Sequence, residues 1–532
     1  MRRSIKRYGQ RAGSALNARF NLNTRGALCA APQLVRVRCI LSCLVGTFRV
    51  ATGSAQQQGT MRVLFATPEL SDFVQVGGLA AVSAALPRAL RPFSDIRIIM
   101  PGYPEVFGKI ADFSIVGHCA ATAQLPACSL GLGFARDGLP TYVVICPELY
   151  ERRGTPYGNE RGEDWADNDL RFARFCLSAS LLAQGGVDPD WSADLIHAND
   201  WQSGLIPGYV AWSGAQLPTI FTIHNLAYQG LFEPTTVRKI GAPDAAFDIN
   251  GLEFYNKLSF IKAGIVYASH VTTVSQTYAQ EITTPQFGCG LDGLLRKRAD
   301  EQKLSGILNG IDESWDPRNC AALSQTFEAG DWRARAVNTA ELRRQFGLAV
   351  SRGPLFAVVA RLVHQKGVDL VLEAAETIVD AGGQLIVTGK GEPRFEHALL
   401  QAQQRRPQAV AVRIGFDDDA ARNIFAGSDF TLVPSRFEPC GLSQMYAQRF
   451  GSLPVGHRTG GLAETILDGE TGFLFRKAST ASLLGGLCRA FSVFGASERF
   501  GAMRRAAMKQ TFGWSASASS YLSLYRTAAS GA

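Results

Sequence analysis

Two cations lie five residues apart in the stretch "ARLVHQKG", residues 360–367, and this spacing suits the binding of a diphosphate. Arg361 ends an apolar run typical of a buried strand, and Lys366 follows in the loop. Both side chains can therefore point into one cleft, where paired cations stabilise the charge that grows on a departing diphosphate. For these two residues taken alone, a solvated loop without a ligand is the alternative.

A carboxylate further along the chain could accept hydrogen bonds from sugar hydroxyls. Glu438 lies in "SRFEPCGLSQMYA", residues 435–447, in a loop bounded by proline and glycine that follows an apolar run. Taken alone, the same residue could be a charge at the start of a helix.

The sequence Gly-Gly-Leu-Ala occurs twice, at residues 77–80 and 460–463, each time ahead of a run typical of a helix. Glycine lets backbone N–H groups approach a ligand closely, and the first turn of a helix offers unpaired N–H donors. Each copy therefore predicts a cradle for an anion, most often a phosphate. Two such cradles suggest two similar halves around one charged ligand.

Short apolar runs that alternate with helical patterns must position these residues. The runs that we interpret as strands are 62–67, 141–147, 193–200, 219–226, 270–275, 355–362, 384–391, 411–416, 429–435 and 452–461. Near-continuous apolar strands of this kind predict parallel sheets covered on both faces. We expect an α/β fold with two doubly wound, Rossmann-like domains that face a deep cleft, and ligands of such sheets bind at the carboxyl ends of the strands.

The polar, arginine-rich run at 328–353 predicts where the domains divide. We expect a first domain at 61–345, a second at 350–505 and a closing helical segment at 506–532. Residues 1–60 are expected to be a disordered leader, either a transit peptide or residues upstream of a true start at Met61, and we exclude them from the fold.

Charge and cysteine content exclude several classes of protein. The net charge of +8 comes from the leader, which holds ten basic and no acidic residues; the remainder has 44 basic and 46 acidic residues. A body so close to neutral does not indicate a nucleic-acid partner. The 11 cysteines contain no C-x-x-C pair, so neither a disulfide framework nor a zinc site is expected, and the acids at 417–419 are interpreted as a solvated loop.

In combination, the motifs closely resemble those of the bacterial glycogen synthase and plant starch synthase family, which transfers glucose from a nucleotide sugar to an α-1,4-glucan. The motifs are "MPGYP" 100–104, "HANDWQSGL" 197–205, "FTIHNLAYQG" 221–230, "GLEFYNKLSFIKAG" 251–264, "ILNGID" 307–312, "RLVHQKG" 361–367, "PSRFEPCGL" 434–442 and "RTGGLAET" 458–465. The resemblance covers nearly all of 61–530. It implies a glycosyltransferase B-type fold, ADP-glucose as donor, and chemistry without a metal or cofactor.

The resemblance also implies catalytic roles for five residues. Arg361 and Lys366 resemble the pair that holds the donor diphosphate and stabilises the departing nucleotide. Glu438 matches the acid that binds donor-sugar hydroxyls, His224 matches a histidine near the sugar, and Asp200 matches the acid that follows "HAN".

The donor-binding residues that the resemblance implies surround these five. They are Gln75, Gly77, Gly78, Tyr157, Asn225, Gly389, Cys440, Gly441, Thr459, Gly460 and Gly461. The chain departs from the family pattern at three positions, with Gln75 for a lysine, Ala81 for an acid and Asn199 for a histidine.

Three other functions fit parts of this pattern. One is a related transferase that uses UDP-glucose or a small acceptor. A glucan-binding paralogue with an impaired donor site would explain Gln75 and Ala81. A glycogen phosphorylase is disfavoured because the synthase motifs align. We expect neither a membrane nor a nucleic-acid partner, and a cytoplasmic location, or a plastid one if the leader is a transit peptide.

Overall fold

The computed structural model describes residues 60–531. The predicted leader therefore lies almost entirely outside the described residues. Within 60–531, no helix is both long enough and apolar enough to cross a membrane.

The first part of the chain forms a nine-stranded sheet and a small three-stranded sheet. The strands are β1 (Arg62–Ala66), β2 (Asp95–Pro101), β3 (Ala111–Cys119), β4 (Cys128–Ala135), β5 (Leu139–Ile145), β6 (Leu195–Asn199), β7 (Thr219–Ile223), β8 (Leu231–Phe232), β9 (Glu253–Phe254), β10 (Lys257–Ser259), β11 (His270–Thr273) and β12 (Leu304–Gly306). The helices are α1 (Gly78–Leu90), α2 (Pro104–Phe107), α3 (Pro147–Tyr150), α4 (Asn168–Ala183), α5 (Ile206–Trp212), α6 (Thr236–Lys239), α7 (Phe260–Tyr267), α8 (Gln276–Glu281) and α9 (Asp292–Asp300).

The second part forms a six-stranded sheet. Its strands are β13 (Leu355–Val359), β14 (Gln384–Gly389), β15 (Val410–Ile414), β16 (Phe430–Val433), β17 (Leu453–His457) and β18 (Phe473–Phe475). The helices are α10 (Trp332–Gln345), α11 (Val368–Asp380), α12 (Pro393–Arg405), α13 (Asp418–Gly427), α14 (Ser443–Arg449), α15 (Gly460–Thr465), α16 (Thr480–Phe494), α17 (Ser497–Lys509) and α18 (Trp514–Ser530).

The strand order of both large sheets confirms the predicted α/β fold class. The first sheet runs β12-β11-β7-β6-β1-β2-β5-β4-β3, and the second runs β15-β14-β13-β16-β17-β18. All strands of the second sheet are parallel; among the described strands of the first sheet, β4 alone runs opposite to its neighbours and pairs antiparallel with both β3 and β5. Because central parallel strands are covered on both faces, they read as continuous apolar runs: Val63 to Ala66 of β1 are fully buried.

The antiparallel β3–β4 hairpin was not expected from the sequence. Strand β3 forms an edge of the sheet and is mostly exposed, so its residues carry no apolar run. Strand β4 contains Gly131, where a Cβ would lie 2.2 Å from the ring of Phe113 on β3. That glycine makes room for the neighbouring ring, and it weakens the strand pattern in the sequence.

The predicted domain limits differ from the packing at two places. Helix α10 ends at residue 345, within the predicted first domain, yet it packs against the second part of the chain, where Arg335 donates hydrogen bonds to the carbonyls of Phe425 and Phe450. Helix α17 runs through the predicted limit at 505 and ends at Lys509. A polar sequence run therefore does not identify which sheet a helix covers.

The last helix, α18, returns to the first domain. Trp514, Tyr521 and Tyr525 join a buried apolar cluster with Phe65 of β1 and Leu86 of α1. The Tyr525 hydroxyl lies 2.6 Å from Nδ1 of His197, and His197 Nε2 lies 2.6 Å from the Thr222 hydroxyl. A buried polar contact thus links the end of the chain to the centre of the first sheet.

Candidate active site

Lys366 and Glu438 meet beside a cavity at the carboxyl ends of β13 and β16. Lys366 Nζ lies 2.5 Å from Glu438 Oε2, which also accepts a hydrogen bond of 2.8 Å from the Ser435 hydroxyl. Glu438 is only 5% exposed. Gly441 also lines the cavity. Positive and negative groups therefore stand together where a charged, hydroxyl-rich ligand could bind.

The loop between β13 and α11 holds Lys366 in place through a tight turn. Residues His364–Lys366 form one turn of 3-10 helix that ends at Gly367, whose φ is +69°. A Cβ at Gly367 would lie 2.3 Å from the Pro434 carbonyl oxygen. Glycine thus permits both the left-handed backbone and the close approach of the loop that carries Glu438.

Arg361, in the same loop, contacts the first domain. Its Nη1 donates a 2.9 Å hydrogen bond to the hydroxyl of Tyr228, which follows β7. Its positive charge also acts on the buried carboxyl of Glu69, whose pKa it lowers against the larger effect of burial. Arg361 therefore lies where the two domains face each other, at the edge of the site.

Two predicted residues of the first domain, Asp200 and His224, directly follow the ends of β6 and β7. His224 Nε2 lies 3.0 Å from Oδ1 of Asn199, and the amide group of Asn199 donates to the Ala66 carbonyl. Since Asn199 Oδ1 is an acceptor, His224 Nε2 must carry the proton and Nδ1 is left as an acceptor. The ring keeps some exposure, but burial lowers the pKa of His224 to about 3, so the imidazole is neutral near pH 7.

Asp200 is buried and has an unusual backbone. Its φ is +60°, and its Oδ1 accepts a hydrogen bond of 3.2 Å from the N–H of Trp201. Burial raises the pKa of Asp200 to about 8. Such strain in a non-glycine residue is often found at functional sites. Asn225, also predicted to bind donor, accepts at its Oδ1 a hydrogen bond from the N–H of Ala227.

The first Gly-Gly-Leu-Ala copy starts helix α1 and faces the second domain. A Cβ at Gly78 would lie 3.6 Å from Cδ1 of Leu442, which lines the cavity. Gln75 and Gly78 are exposed, and Gly77 is half-buried. The structure therefore brings this copy to the cleft, beside the loop of Glu438.

Glu69 is a residue of this site that the sequence did not reveal. Its Oε2 accepts hydrogen bonds from the N–H groups of Val76 and Gly77, at 2.7 and 3.1 Å, and its Oε1 accepts one from the Tyr157 hydroxyl. Burial raises the pKa of Glu69, which is 3% exposed. Glu69 thus joins the loop of Gln75 to Tyr157; a single acid in "TPEL" has no pattern that could have indicated this role.

The second Gly-Gly-Leu-Ala copy starts α15, and its part in donor binding stays a prediction. The N–H of Gly460 and the hydroxyl of Thr459 both donate to Glu281 Oε1, at 3.0 and 2.8 Å, and the N–H of Gly461 donates to the Glu438 carbonyl. These groups are therefore engaged by the protein itself. A Cβ at Gly460 would lie 1.9 Å from the Glu438 carbonyl oxygen, so this glycine lets α15 pack on the loop that carries Glu438.

The remaining predicted residues pack around the same loops. Gly389 ends β14, and a Cβ there would lie 1.8 Å from the Ala360 carbonyl oxygen, just ahead of Arg361. Cys440 is buried, and burial raises the pKa of its thiol to about 12. Gly441 has a φ of +71°, which favours glycine.

Comparison with known proteins identifies the family. The family model of the starch synthase catalytic domain matches residues 62–297, and that of glycosyl transferases group 1 matches 340–492. Glycogen synthase 1 of Bradyrhizobium diazoefficiens is 65% identical over 86% of this chain and 99% of its own length. The chain belongs to the glycogen synthase and starch synthase family. The resemblance inferred from the motifs is thereby confirmed.

Other similarities agree with this assignment. Glycogen synthase of Pseudomonas syringae pv. syringae is 52% identical over 88% of this chain and 97% of its own. The catalytic domain of starch synthase IV from Arabidopsis thaliana, solved with ADP and acarbose, has a TM-score of 0.80 at 31% identity and covers 89% of this chain and 100% of its own. A sucrose-phosphate synthase from Thermosynechococcus elongatus, at 16% identity and a TM-score of 0.55, shares the fold.

Proposed function

We propose that the protein elongates an α-1,4-glucan by moving glucose from ADP-glucose to the non-reducing end, with retention of configuration. The observation that carries this proposal is the Lys366–Glu438 pair beside a cavity, in a chain 65% identical to a glycogen synthase over nearly that protein's full length. ADP as the nucleotide is supported by the related starch synthase IV, which was solved with ADP.

The transfer needs no residue that forms a covalent bond to the sugar. The bond from glucose C1 to the diphosphate oxygen breaks, and the bond from C1 to O4 of the acceptor forms on the same face. The leaving diphosphate oxygen takes the proton of that hydroxyl. Arg361 and Lys366 stabilise the charge left on the diphosphate, and positioned charges of this kind act most strongly where water is excluded.

The first domain and Glu438 orient the sugar. Glu438 accepts hydrogen bonds from donor-sugar hydroxyls while Lys366 turns to the diphosphate. Neutral His224 bonds a hydroxyl through Nδ1, its free acceptor, because Nε2 is directed to Asn199. Asp200, whose pKa burial raises to about 8, can donate a proton in a hydrogen bond to the acceptor chain near pH 7.

We also propose that no metal or organic cofactor takes part. Arg361 and Lys366 supply the positive charge that a divalent cation supplies in other transferases. Turnover is expected to be unchanged after exhaustive treatment with EDTA; a loss that magnesium restores would contradict this. The cytoplasmic location expected from the sequence stays a prediction.

One assay tests the function and its rivals. The full chain is incubated with glycogen and radiolabelled ADP-glucose or UDP-glucose, and label in the polymer is measured. We expect transfer from ADP-glucose in clear excess over UDP-glucose. Equal or greater transfer from UDP-glucose would support the relative that uses the other donor. Glycogen binding without transfer would support the glucan-binding paralogue, which the replacement of the family lysine by Gln75 favours.

A further inference from the structure

Three cysteines lie side by side where β3, β4 and β5 meet, far along the chain from the residues proposed for transfer. Cys119 is the last residue of β3 and Cys128 the first of β4, and the two are directly opposite in the antiparallel ladder. Ser129 pairs with Ile145 on the other side of β4, and Cys146 follows Ile145. Directly opposite residues of antiparallel strands point to one face of the sheet, with Cβ atoms about 4.5–5.5 Å apart.

We propose that Cys119 and Cys128 are a modification site: a dithiol that hydrogen peroxide oxidises reversibly to a cross-strand disulfide. A disulfide needs Cβ atoms about 3.5–4.5 Å apart, so a shift on the order of 1 Å closes the bond. Both thiols are buried, at 3% and 6% exposure, but β3 is the edge of its sheet and Cys119 adjoins the largely exposed connection at 120–127, where a local opening would allow the shift and admit peroxide.

The surroundings of Cys128 favour a thiolate. Its Sγ lies 3.3 Å from the Ser178 hydroxyl, and Nε of Arg174 donates to the same hydroxyl at 3.2 Å. The hydrogen bond from Cys119 lowers the pKa of Cys128 below its usual range, and the charge of Arg174 and the hydroxyl of Ser178 act in the same direction. Thiols next to such groups are the reactive ones in proteins.

The buried side chain of Arg174 supports a thiolate at Cys128 independently of the strand pairing. The guanidinium is fully buried, and its hydrogen bonds go to neutral acceptors: the Ser178 hydroxyl and the carbonyls of Ala120 and Pro126. Its Nη2 is buried and has no hydrogen-bond partner among residues 60–531. A buried cation normally has an anion beside it, and a thiolate at Cys128 would supply that charge.

Cys146 is the competing partner, and its contacts disfavour it. Its Sγ donates to Oε2 of Glu148 at 3.5 Å, and burial together with that carboxylate raises the pKa of Cys146 to about 12. Cys146 therefore stays a thiol that is directed to Glu148. Cys119, whose pKa is raised by the bond it donates to Cys128 and by burial, is the partner that resolves the oxidised sulfur.

The reaction balances with peroxide as the two-electron oxidant. The Cys128 thiolate attacks one peroxide oxygen, the O–O bond breaks, and the released hydroxide takes a proton to become water. The Cys119 sulfur then attacks the Cys128 sulfur of the sulfenic acid, the S–O bond breaks, and the hydroxyl leaves as water with the Cys119 proton. Closure of the disulfide prevents further, irreversible oxidation of Cys128.

Trypsin makes the test direct, because no lysine or arginine lies between the two cysteines. The full chain is treated with peroxide, remaining thiols are alkylated, and the digest is analysed by mass spectrometry. We expect peptide 110–136 to be lighter by two hydrogens and unalkylated, and to regain both thiols after dithiothreitol. A cross-link between peptides 110–136 and 137–152 would show that Cys146 is the partner of one of the two cysteines and overturn the proposal. So would a fully alkylated peptide 110–136 at a peroxide dose that oxidises exposed Cys289.

Three variants separate the roles of the two sulfurs. Cys119→Ser should let the sulfenic acid at Cys128 accumulate, detected by dimedone, whereas Cys128→Ser should leave Cys119 reduced. Cys176→Ser, a change at another buried cysteine, is the matched control and should keep the disulfide. Dimedone labelling of Cys119 in Cys128→Ser would contradict the assignment of the reactive thiol. If a variant does not fold, the wild-type peptide masses still decide the proposal.

Discussion

At the scale of the single residue, Lys366 has one partner in the structure, Glu438, and one proposed partner, the donor diphosphate. Its ammonium is the partner of the buried carboxylate of Glu438, and it lines the cavity in which we place the donor. In the proposed mechanism, Lys366 pairs with Glu438 in the free site and with the donor diphosphate in the transition state. Its removal should therefore affect turnover more than donor affinity.

We expect Lys366→Ala to reduce kcat by about 10²–10³-fold, the usual effect of losing one charge-assisted contact to developing negative charge. The donor KM should change much less. Lys303→Ala removes an exposed lysine at the start of β12 and is the control. Steady-state kinetics with both variants measure the effect, and a Lys366→Ala enzyme with near-normal kcat would remove this residue from the proposed role.

Gln75 allows the opposite experiment, a gain of function. The side chain is exposed in the loop that faces the cavity, and a neutral hydrogen bond contributes about 0.5–1.5 kcal/mol against about 1.5–3 for a charged one. Gln75→Lys should raise kcat/KM for ADP-glucose by about 5–10-fold. Gln408→Lys adds the same charge at an exposed site of the second domain and should have no effect. Unchanged kinetics in Gln75→Lys would show that position 75 does not reach the donor.

At the scale of the element, the loop before α1 depends on a carboxylate outside it. Glu69 accepts hydrogen bonds from two successive N–H groups, those of Val76 and Gly77, and from Tyr157, so one side chain holds the loop and the tyrosine in register. Glu69 is a positioning residue in this arrangement.

Glu69→Gln should lower kcat/KM for ADP-glucose by about 10–100-fold, mainly by raising KM. This is the effect expected when one or two charge-assisted hydrogen bonds are lost. Because Glu69 is buried, some fall in melting temperature is expected as well, and the kinetics of the folded fraction measure its effect on the site. Tyr157→Phe, which keeps the ring and removes one hydrogen bond, should show a smaller effect of the same kind. A large fall in melting temperature with normal kinetics of the folded fraction would assign Glu69 to the stability of the fold alone.

The sequence predicts features whose cause lies within a short stretch of residues, and it does not predict features that depend on residues far away in the chain. Buried parallel strands such as β1 and β13 are predictable, since burial on both faces forces apolar runs. The roles of Gly460 and Glu69 are not, because they depend on partners elsewhere: Glu281 lies 179 residues before Gly460, and no spacing in the sequence relates them. The glycine pair predicts an anion at the start of α15; in the structure the Glu281 carboxylate accepts the hydrogen bond of the Gly460 N–H, and donor binding there stays a prediction.

At the scale of the whole molecule, a buried histidine joins the last helix to the centre of the first sheet. Burial lowers the pKa of His197 to about 3, and its two nitrogens contact Thr222 of the first sheet and Tyr525 of α18. The unfolded chain binds a proton at a histidine below about pH 6.5, whereas folded His197 does so only near pH 3. Stability from this group is therefore present above pH 6.5 and is lost as the pH falls towards 3.

We expect the lowered pKa of His197 to make the free energy of unfolding smaller at pH 5 than at pH 7.5, by on the order of 2 kcal/mol. The free energy of unfolding of the wild type and of His197→Asn, measured in urea at both pH values, tests this. The variant should lose less stability on acidification by about that amount. Taking the difference between the two proteins cancels the other titrating groups, including Asp200, whose raised pKa acts in the opposite direction. Parallel pH dependence in both proteins would contradict the assignment.

The return of α18 to the first domain also determines when that domain can be finished during synthesis. Phe65 is made near the beginning of the described chain, but its partners Trp514, Tyr521 and Tyr525 are made last. At the usual rate of about 5–20 residues per second, the apolar cluster around β1 waits on the order of a minute for its cover. During that interval the cluster around Phe65 lacks the side chains that α18 contributes, although α1 already packs on β1 through Leu86. We expect the newly made first domain to be less stable until the final helix is released.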